Sequence, residues 1–403
     1  MEKSTLCFFT NSYPFGRGEP FIENELNYIA PLYDVVYLFH KSNAGDVREV
    51  PANVKLIYID KPINIPKSSI VRGNFFILCN IVIRELFFSR QKKLFIKNFK
   101  YNLSHLVNCI YYSTEIKKRL DYKTLTHAYF YSYWFFDWNL SLSILKFKNV
   151  INKNFTRTHG FDLYENNGKP NYLPARKFSL NNTDKVFAIS HVGENYLKNI
   201  YPQFKNKIHC SYLGTKDFGS NPLPDMNSPI HIVSCSNLNK VKRVHLIIDI
   251  LKCIKVPILW THIGDGELLE EIENKTKDLP INVTIDFKGR QSQKEIFDFY
   301  SKVPIDIFIN CSISEGLPVS IMEAISFGIP VIATDVGGTR EIVTLKSGIL
   351  VEKEFSGKIV AEEIVKLKNM KNSEEYRNQV KQFWKNNFLA DVNYSLFANF
   401  LRV

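Results

Sequence analysis

Apolar and polar positions along the chain follow one pattern twice, clearly in the second half and less regularly in the first. Apolar runs at 230–234, 257–263, 281–287, 305–310 and 331–334 are each followed by a stretch of helical period. Those helical stretches begin after Lys242, at Glu267, at Gln293, around Glu323 and at Thr339. Strands buried on both faces read as unbroken apolar runs, so the alternation predicts βαβ units in a doubly wound parallel sheet. In the first half the pattern predicts a strand over 6–10, a loop over 11–18, a helix over about 19–30 and a strand over 34–39. Further apolar runs follow at 126–131, 151–156, 185–189 and 207–213, with a helix over 192–200. The intervening 70–120 region reads as helical throughout.

A stretch dense in Gly, Pro, Ser and Asn, 214–229 (GTKDFGSNPLPDMNSP), marks the boundary between the halves. The expected organisation is an N-terminal domain over 1–213, a linker over 214–229 and a second domain over 230–387. Phe383, Trp384, Phe388, Tyr394, Phe397 and Phe400 recur at near-helical spacing. They predict terminal helices, with 388–403 packing back on the first domain. A chain of 403 residues exceeds one ordinary core and suits two of roughly 200 residues each.

Charge changes this picture in one place. The net charge is +12, and the segment 61–119 carries twelve Lys and Arg against Glu85 and Glu115 alone. Phe75, Phe76, Leu86, Phe87, Phe88, Phe95 and Ile96 interleave with those charges. Two readings stay open: a surface that docks on an anionic membrane, or helices packed on their own domain with a solvated basic outer face. No helix-turn-helix, RNP motif or zinc spacing supports a nucleic-acid partner. The seven cysteines are odd in number and scattered without Cys-x-x-Cys spacing, which predicts free thiols in a reducing, cytoplasmic compartment. The start of the chain reads as a first strand, with no expected signal peptide, and no run is long and apolar enough for a membrane span.

The chemistry concentrates in CSISEGLPVSIMEAISFGIPVIATDVGGTRE, residues 311–341. Glu315 and Glu323 stand eight residues apart, the first in a Ser-Glu-Gly-Leu-Pro turn and the second just over one turn into a helix. Pro318 suits the first helical turn, and Gly328 with Pro330 closes the helix. A helix start with free amides and a positive dipole end favours an anion, most often phosphate. A buried Glu323 needs hydroxyl or amide donors, which a sugar supplies. These features read together as a nucleotide-sugar site. Ligands of open α/β sheets bind beyond the carboxyl ends of the strands. The loops placed there hold Ser236–Arg243, Gly264 and Gly266, Arg290, 312–318 and 335–338. Lys242 and Arg243 are placed to neutralise a diphosphate, or are solvated cations at a helix start. Gly264 with Gly266, and Gly337 with Gly338, allow close backbone approach or simply make tight turns.

The 311–341 stretch resembles the donor-binding domain of the retaining glycosyltransferases of family 4, also called glycosyltransferases group 1. The resemblance extends to NKVKRVHLIIDIL (239–251) and THIGDGELLEEI (261–272). It reaches the first half in FTNSYPFGRGEPFIENEL (9–26), RTHGFDLYENN (157–167), FAISHVGENYL (187–197) and SYLGTKD (211–217). It is similar to the bacterial surface-polysaccharide branch, and leaves about 45–125 and the tail unmatched. The resemblance implies a GT-B fold, α/β, with two Rossmann-like domains and the donor in the cleft between them. By the same token Glu323 is implied to accept from ribose hydroxyls, and Glu315 to lie near the transferred sugar. Donor contacts are implied for Gly316 and Leu317 amides with Pro318 and Val319 behind them. Lys242 is implied at the diphosphate, His159 at the sugar, and Gly16 with Gly18 in a loop over the reaction centre. The family places an arginine six residues before this lysine. Here the position is Ser236, and Arg243 is the expected compensation.

The implied function is transfer of a sugar, with retention, from a UDP- or GDP-sugar donor to a growing polysaccharide or lipid-linked oligosaccharide at the inner face of the membrane. No cofactor is expected, because the nucleotide sugar is a substrate. No metal is expected either, since no Asp-x-Asp stands at a strand end and a helix dipole with cations serves instead. The alternatives are a two-Rossmann nucleotide-sugar epimerase, a non-catalytic sugar-binding module, and a dinucleotide oxidoreductase, for which no Gly-x-Gly-x-x-Gly set follows a strand.

Overall fold

The computed structural model describes residues 4–62, 65–165, 172–371 and 373–402, with the backbone alone at 370 and 371. Asn166 and Asn167, which end one of the motifs above, lie outside the described residues, as do Ile63 and Asn64 of the basic segment. The chain forms two compact units, Met1–Tyr212 with Tyr394–Val403, and Leu213–Asn393.

The first unit is built on a parallel sheet of β1 (Thr5–Phe9), β2 (Val35–His40), β3 (Val54–Tyr58), β4 (Tyr129–Ser132), β5 (Lys153–Thr158), β6 (Lys185–Ala188) and β7 (Ile208–Cys210). Its order is β3-β2-β1-β4-β5-β6-β7. Side chains of a strand alternate between faces, and β1 shows how both faces are filled. Leu6 and Phe8 enter one core with Ile22, Leu26, Phe155 and Phe187, while Cys7 and Phe9 enter the other with Phe39, Phe130, Trp138 and Leu142. The first core is completed from the far end of the chain by Phe397, Ala398 and Leu401. A buried ion pair ties this together: Arg157 Nε lies 3.1 Å from Glu25 Oε2, Tyr131 donates to Glu25 at 2.5 Å, and the Arg157 guanidinium covers the Phe397 ring at 3.9 Å. The crossover from β3 to β4 carries the basic region as helices Lys67–Arg72, Phe75–Phe88, Lys92–Lys97, Phe99–Arg119 and Tyr122–His127. The apolar run expected at 126–131 therefore divides between the end of a helix and β4.

The second unit repeats the plan with β8 (Ile230–Cys235), β9 (Ile258–Ile263), β10 (Val283–Gly289), β11 (Ile307–Asn310), β12 (Val331–Thr334) and β13 (Gly348–Val351), ordered β10-β9-β8-β11-β12-β13. The 214–229 stretch is not a free linker but part of this unit. Thr215 and the end of helix Glu374–Phe388 exchange backbone bonds, and Trp384 donates to Thr215 Oγ1 at 2.8 Å. Buried Asn221 donates to the carbonyls of Tyr300 and Val303 and accepts from the Ile305 amide. Its turn-rich composition reflects a segment held by scattered backbone bonds, such as Asn221 N–H to the Phe327 carbonyl, and by side chains, without a continuous ladder.

Candidate functional site

The loop that leaves β11 is fixed before its glutamate is reached. Asn310 Oδ1 accepts from the Ser312 amide at 2.9 Å, and Thr334 Oγ1 donates to the Ser312 carbonyl at 2.5 Å. The chain then turns through Glu315–Pro318 into helix Val319–Ser326, whose cap residue is Pro318 and whose start has no side-chain cap. The first internal bonds run from Ile321 and Met322 to the Pro318 carbonyl. The amides ahead of them remain directed out of the helix start, where a negative group is stabilised.

Lys242 and Glu315 meet here. Lys242 Nζ lies 2.6 Å from Glu315 Oε1, with Asn310 Nδ2 at 3.5 Å from the same oxygen. The lysine is aimed by Asn239, whose side-chain oxygen accepts from the amides of Val241 and Lys242 and so turns the loop after β8. The glutamate loop is held from its other side by the Gly337-Gly338 turn. Gly337 has φ +53, and a Cβ there would fall 1.8 Å from the Glu315 carbonyl oxygen, while the Gly338 amide donates to the Gly316 carbonyl. Gly337 is thus required by packing against the Glu315 backbone, whereas Gly338, at φ −81, contributes its amide to the turn.

Arg243 departs from its expected place. Its backbone takes φ +46, which sends the side chain away from that of Lys242, and it is buried. Nε donates to the Cys311 carbonyl at 2.8 Å and Nη2 to the Lys353 carbonyl at 2.8 Å, with the Ser312 carbonyl at 3.4 Å. A guanidinium held by these carbonyls, with Glu354 Oε1 at 3.4 Å from Nη1, braces the loops and leaves Lys242 as the cation beside Glu315. Ser236 stands half-buried in a small pocket with Lys242, Asn310 and Ser312, and supplies no replacement charge.

Glu323 occupies the fifth position of its helix and is buried. Burial pushes its carboxyl up to about 7, opposed by one donor, Gln293 Nε2 at 2.8 Å. Gln293 escaped the sequence reading as a site residue. Its signal was its position, the first residue of the helix after β10, on the ligand-facing edge. Nearby, Gly264 and Gly266 pack the loop after β9 against the loop after β8. A Cβ on the first would fall 1.9 Å from the Ser236 carbonyl oxygen, and on the second 2.4 Å from that of Leu238. Between these loops opens a depression of about 470 Å³ lined by Asn237, Asn239, Asp265, Gly266 and Arg290.

The remaining expected residues belong to the first unit. Gly16 has φ +62 and packs against Ala44, and a Cβ on Gly18 would crowd Ser12 Oγ at 2.5 Å. Glu19 does not open the following helix, which begins at Phe21. It takes φ +53 and gathers the amides of Asn11, Ser12 and Tyr13 onto its carboxylate, with the Trp134 indole donating to it as well. Trp134 in turn packs on His159 at 4.4 Å between ring centroids, and Tyr133 does so at 4.6 Å. His159 is buried with neither ring nitrogen hydrogen-bonded, and burial beside Arg157 holds it well below the ordinary histidine range. A neutral imidazole whose two ring nitrogens have no hydrogen-bond partner among the described residues leaves two polar atoms open to a ligand or to water. Among the described residues, the one group whose side chains converge as metal ligands do is His191, Glu194 and Cys210, with Glu194 already bonded to Lys198. It belongs to the first unit.

Residues 223–386 match the family model described as Glycosyl transferases group 1. The putative colanic acid biosynthesis glycosyltransferase WcaL of Escherichia coli strain K12 is 25% identical over 205 residues, which cover 48% of this chain and 50% of that protein. The chain spans about half the length of the curated relatives it matches. Among solved structures, the apo form of the lipopolysaccharide outer core galactosyltransferase WaaB aligns with a TM-score of 0.67 at 16% identity, over 99% of this chain and 100% of that one. HepE from Anabaena in complex with UDP and glucose aligns at 0.64 and 14% identity, over 99% of each. At such identities the likeness shows the fold, which is GT-B as the sequence implied.

Proposed function

We propose that this chain, whose residues 223–386 match the glycosyl transferases group 1, moves a sugar from a nucleoside-diphosphate donor to a saccharide acceptor in surface-polysaccharide synthesis, with retention of configuration and without a metal. The observation that carries this reading is the 2.6 Å Lys242–Glu315 pair beside the uncapped start of helix Val319–Ser326, with Glu323 one turn further in. A diphosphate at that helix start meets amides and takes the Lys242 ammonium, so that its departure is stabilised by charges already in place. Glu315, released from the lysine, then faces the transferred sugar. Glu323 accepts from the ribose hydroxyls, and the depression beside Arg290 takes the base. Relatives named for colanic acid biosynthesis and for the lipopolysaccharide outer core support the acceptor class. The acceptor in this reading is a lipid-linked saccharide met at the cytoplasmic face of the membrane.

Titration calorimetry with UDP, GDP, ADP and their sugars tests the donor half. Saturable binding of one nucleoside diphosphate, weakened by Glu323→Ala, is expected. Glu315→Gln is expected to lower turnover with little change in donor affinity, and the opposite pattern for the two glutamates refutes these roles. Donor incubated without acceptor should yield no epimer.

A further inference from the structure

The sequence left two readings of the basic segment, and they differ in where the aromatic side chains point. A solvated basic face requires the apolar side chains to turn inward. In helix Phe75–Phe88 both faces are apolar. Ile77, Leu78 and Ile81 are buried against the helices beneath, while Phe75, Phe76, Ile83, Phe87 and Phe88 stand exposed, Phe76 at 76% and Phe87 at 72%. Ile96 adds to the surface from helix Lys92–Lys97 at 57%. Monomeric soluble surfaces seldom display such a cluster of large rings without a partner.

Charge identifies the partner. Around those rings stand Arg72, Arg84, Arg90, Lys92, Lys93, Lys97 and Lys100, all exposed, and among the described residues none is in an ion pair. The one carboxylate of the helix, Glu85, is turned inward and held by the Ala175 amide and the Ser89 hydroxyl. A second copy of the chain would set this charge against itself. Behind the helix, a cleft of about 420 Å³ lies against helix Arg176–Asn181, walled by Ile83, Phe88 and Phe178 with Arg84 and Lys177 among its lining. A helix of 14 residues is about 21 Å long, short of the roughly 30 Å needed to cross the hydrocarbon core. Among the described residues no helix is long and apolar enough to do so.

We infer that helix Phe75–Phe88 is a monotopic anchor that lies in the plane of an anionic bilayer, with its phenylalanine face among the acyl chains and the surrounding cations on lipid phosphates. The inference rests on the proposed lipid-linked acceptor for its purpose, and its test requires no transfer activity. The full chain is sedimented with phosphatidylcholine vesicles, with and without about 30% phosphatidylglycerol, the anionic lipid supplying the attraction. Binding to the anionic vesicles is expected, reduced by salt but not abolished. Phe76→Ser with Phe87→Ser should lower the partition coefficient about tenfold or more, with melting temperature and nucleotide binding unchanged. Lys92→Ala with Lys93→Ala should lower it by about fivefold per charge. A Phe87→Trp reporter should shift its emission to the blue on vesicles. Binding indifferent to lipid charge, or a double serine variant that binds as the parent does, overturns the inference. So does a reporter whose emission stays put, and so does a dimer that the serine variant dissolves. Vesicle binding that persists when no nucleotide binds would refute the donor assignment and leave the anchor standing.

Discussion

The two units share the order of their first six strands, to which the first unit adds β7, and differ most at one place, the crossover from the third strand to the fourth. In the second unit residues 290–306 make that crossing with a single helix, Gln293–Lys302, whose first residue reaches Glu323. In the first unit residues 59–128 make it with five helices, and these carry the exposed phenylalanines and unpaired cations. One topological slot thus serves two purposes. Where it stays short it positions a ligand-facing side chain, and where it is enlarged it builds a surface. The second unit has a buried ion pair of its own, Lys368 with Asp306 at 3.0 Å, and the contrast lies in two buried glutamates. The first neutralises Glu25 internally with Arg157, whereas the second leaves Glu323 with one neutral donor.

The largest expected effect tests that last difference. Arg157→Leu leaves Glu25 buried without its partner and should cost about 3–5 kcal/mol in denaturant unfolding. Replacing both partners by apolar residues should recover most of it. Equal loss from the double replacement would show that the pair packs more than it neutralises. Glu323 comes next, through pH. An unfolded chain releases this proton near the ordinary 4.5, while the folded protein holds it to about 7. Free-protein stability should therefore fall as pH rises between those values, by an amount on the order of 3 kcal/mol, and level off above. A ribose that donates to the carboxylate reverses the preference. Donor affinity should tighten as pH rises toward 7, by up to about tenfold per unit, with a proton released. Calorimetry in buffers of different ionisation enthalpy measures this, and Glu323→Gln should flatten the profile.

Lys242→Met removes one charge-assisted contact to the diphosphate, and should weaken donor binding about ten- to a hundredfold without altering vesicle binding. If both properties fall together, the two units do not divide the work as described. Smallest is Ser190→Ala, at the start of helix His191–Ile200, where the hydroxyl accepts from the Gly193 amide at 3.1 Å. About 1 kcal/mol of stability should be lost in thermal melts with no change in donor binding.

Much of this was legible in the sequence because buried parallel strands and glycine-dependent turns leave local marks. Apart from β4, which starts three residues after its expected run, the central strands of both sheets lie within about two residues of their expected places. The edge strands β3 and β13 were missed. Half-exposed Val54–Tyr58 lacks an unbroken apolar run, and Gly348–Val351 is too short to carry a period. At the site, Glu315, Glu323 and Lys242 announced themselves through their turns and spacing. Gln293 and Asn239 did not, since a side chain that acts through one hydrogen bond across the fold carries no periodic signature. Arg243 misled because neighbours in sequence were expected to share a task, and one left-handed backbone angle sent its side chain into carbonyls instead.

The ribosome delivers Phe397, Ala398 and Leu401 only after every residue of Leu213–Asn393 has been made. Domains generally fold as they emerge, the leading one first. Here the leading unit waits with an unfilled core while the trailing one closes around its own contiguous stretch. Newborn chains should therefore acquire protease resistance in the order opposite to their synthesis, and the surface that holds Phe76 and Phe87 sits on the unit that matures last.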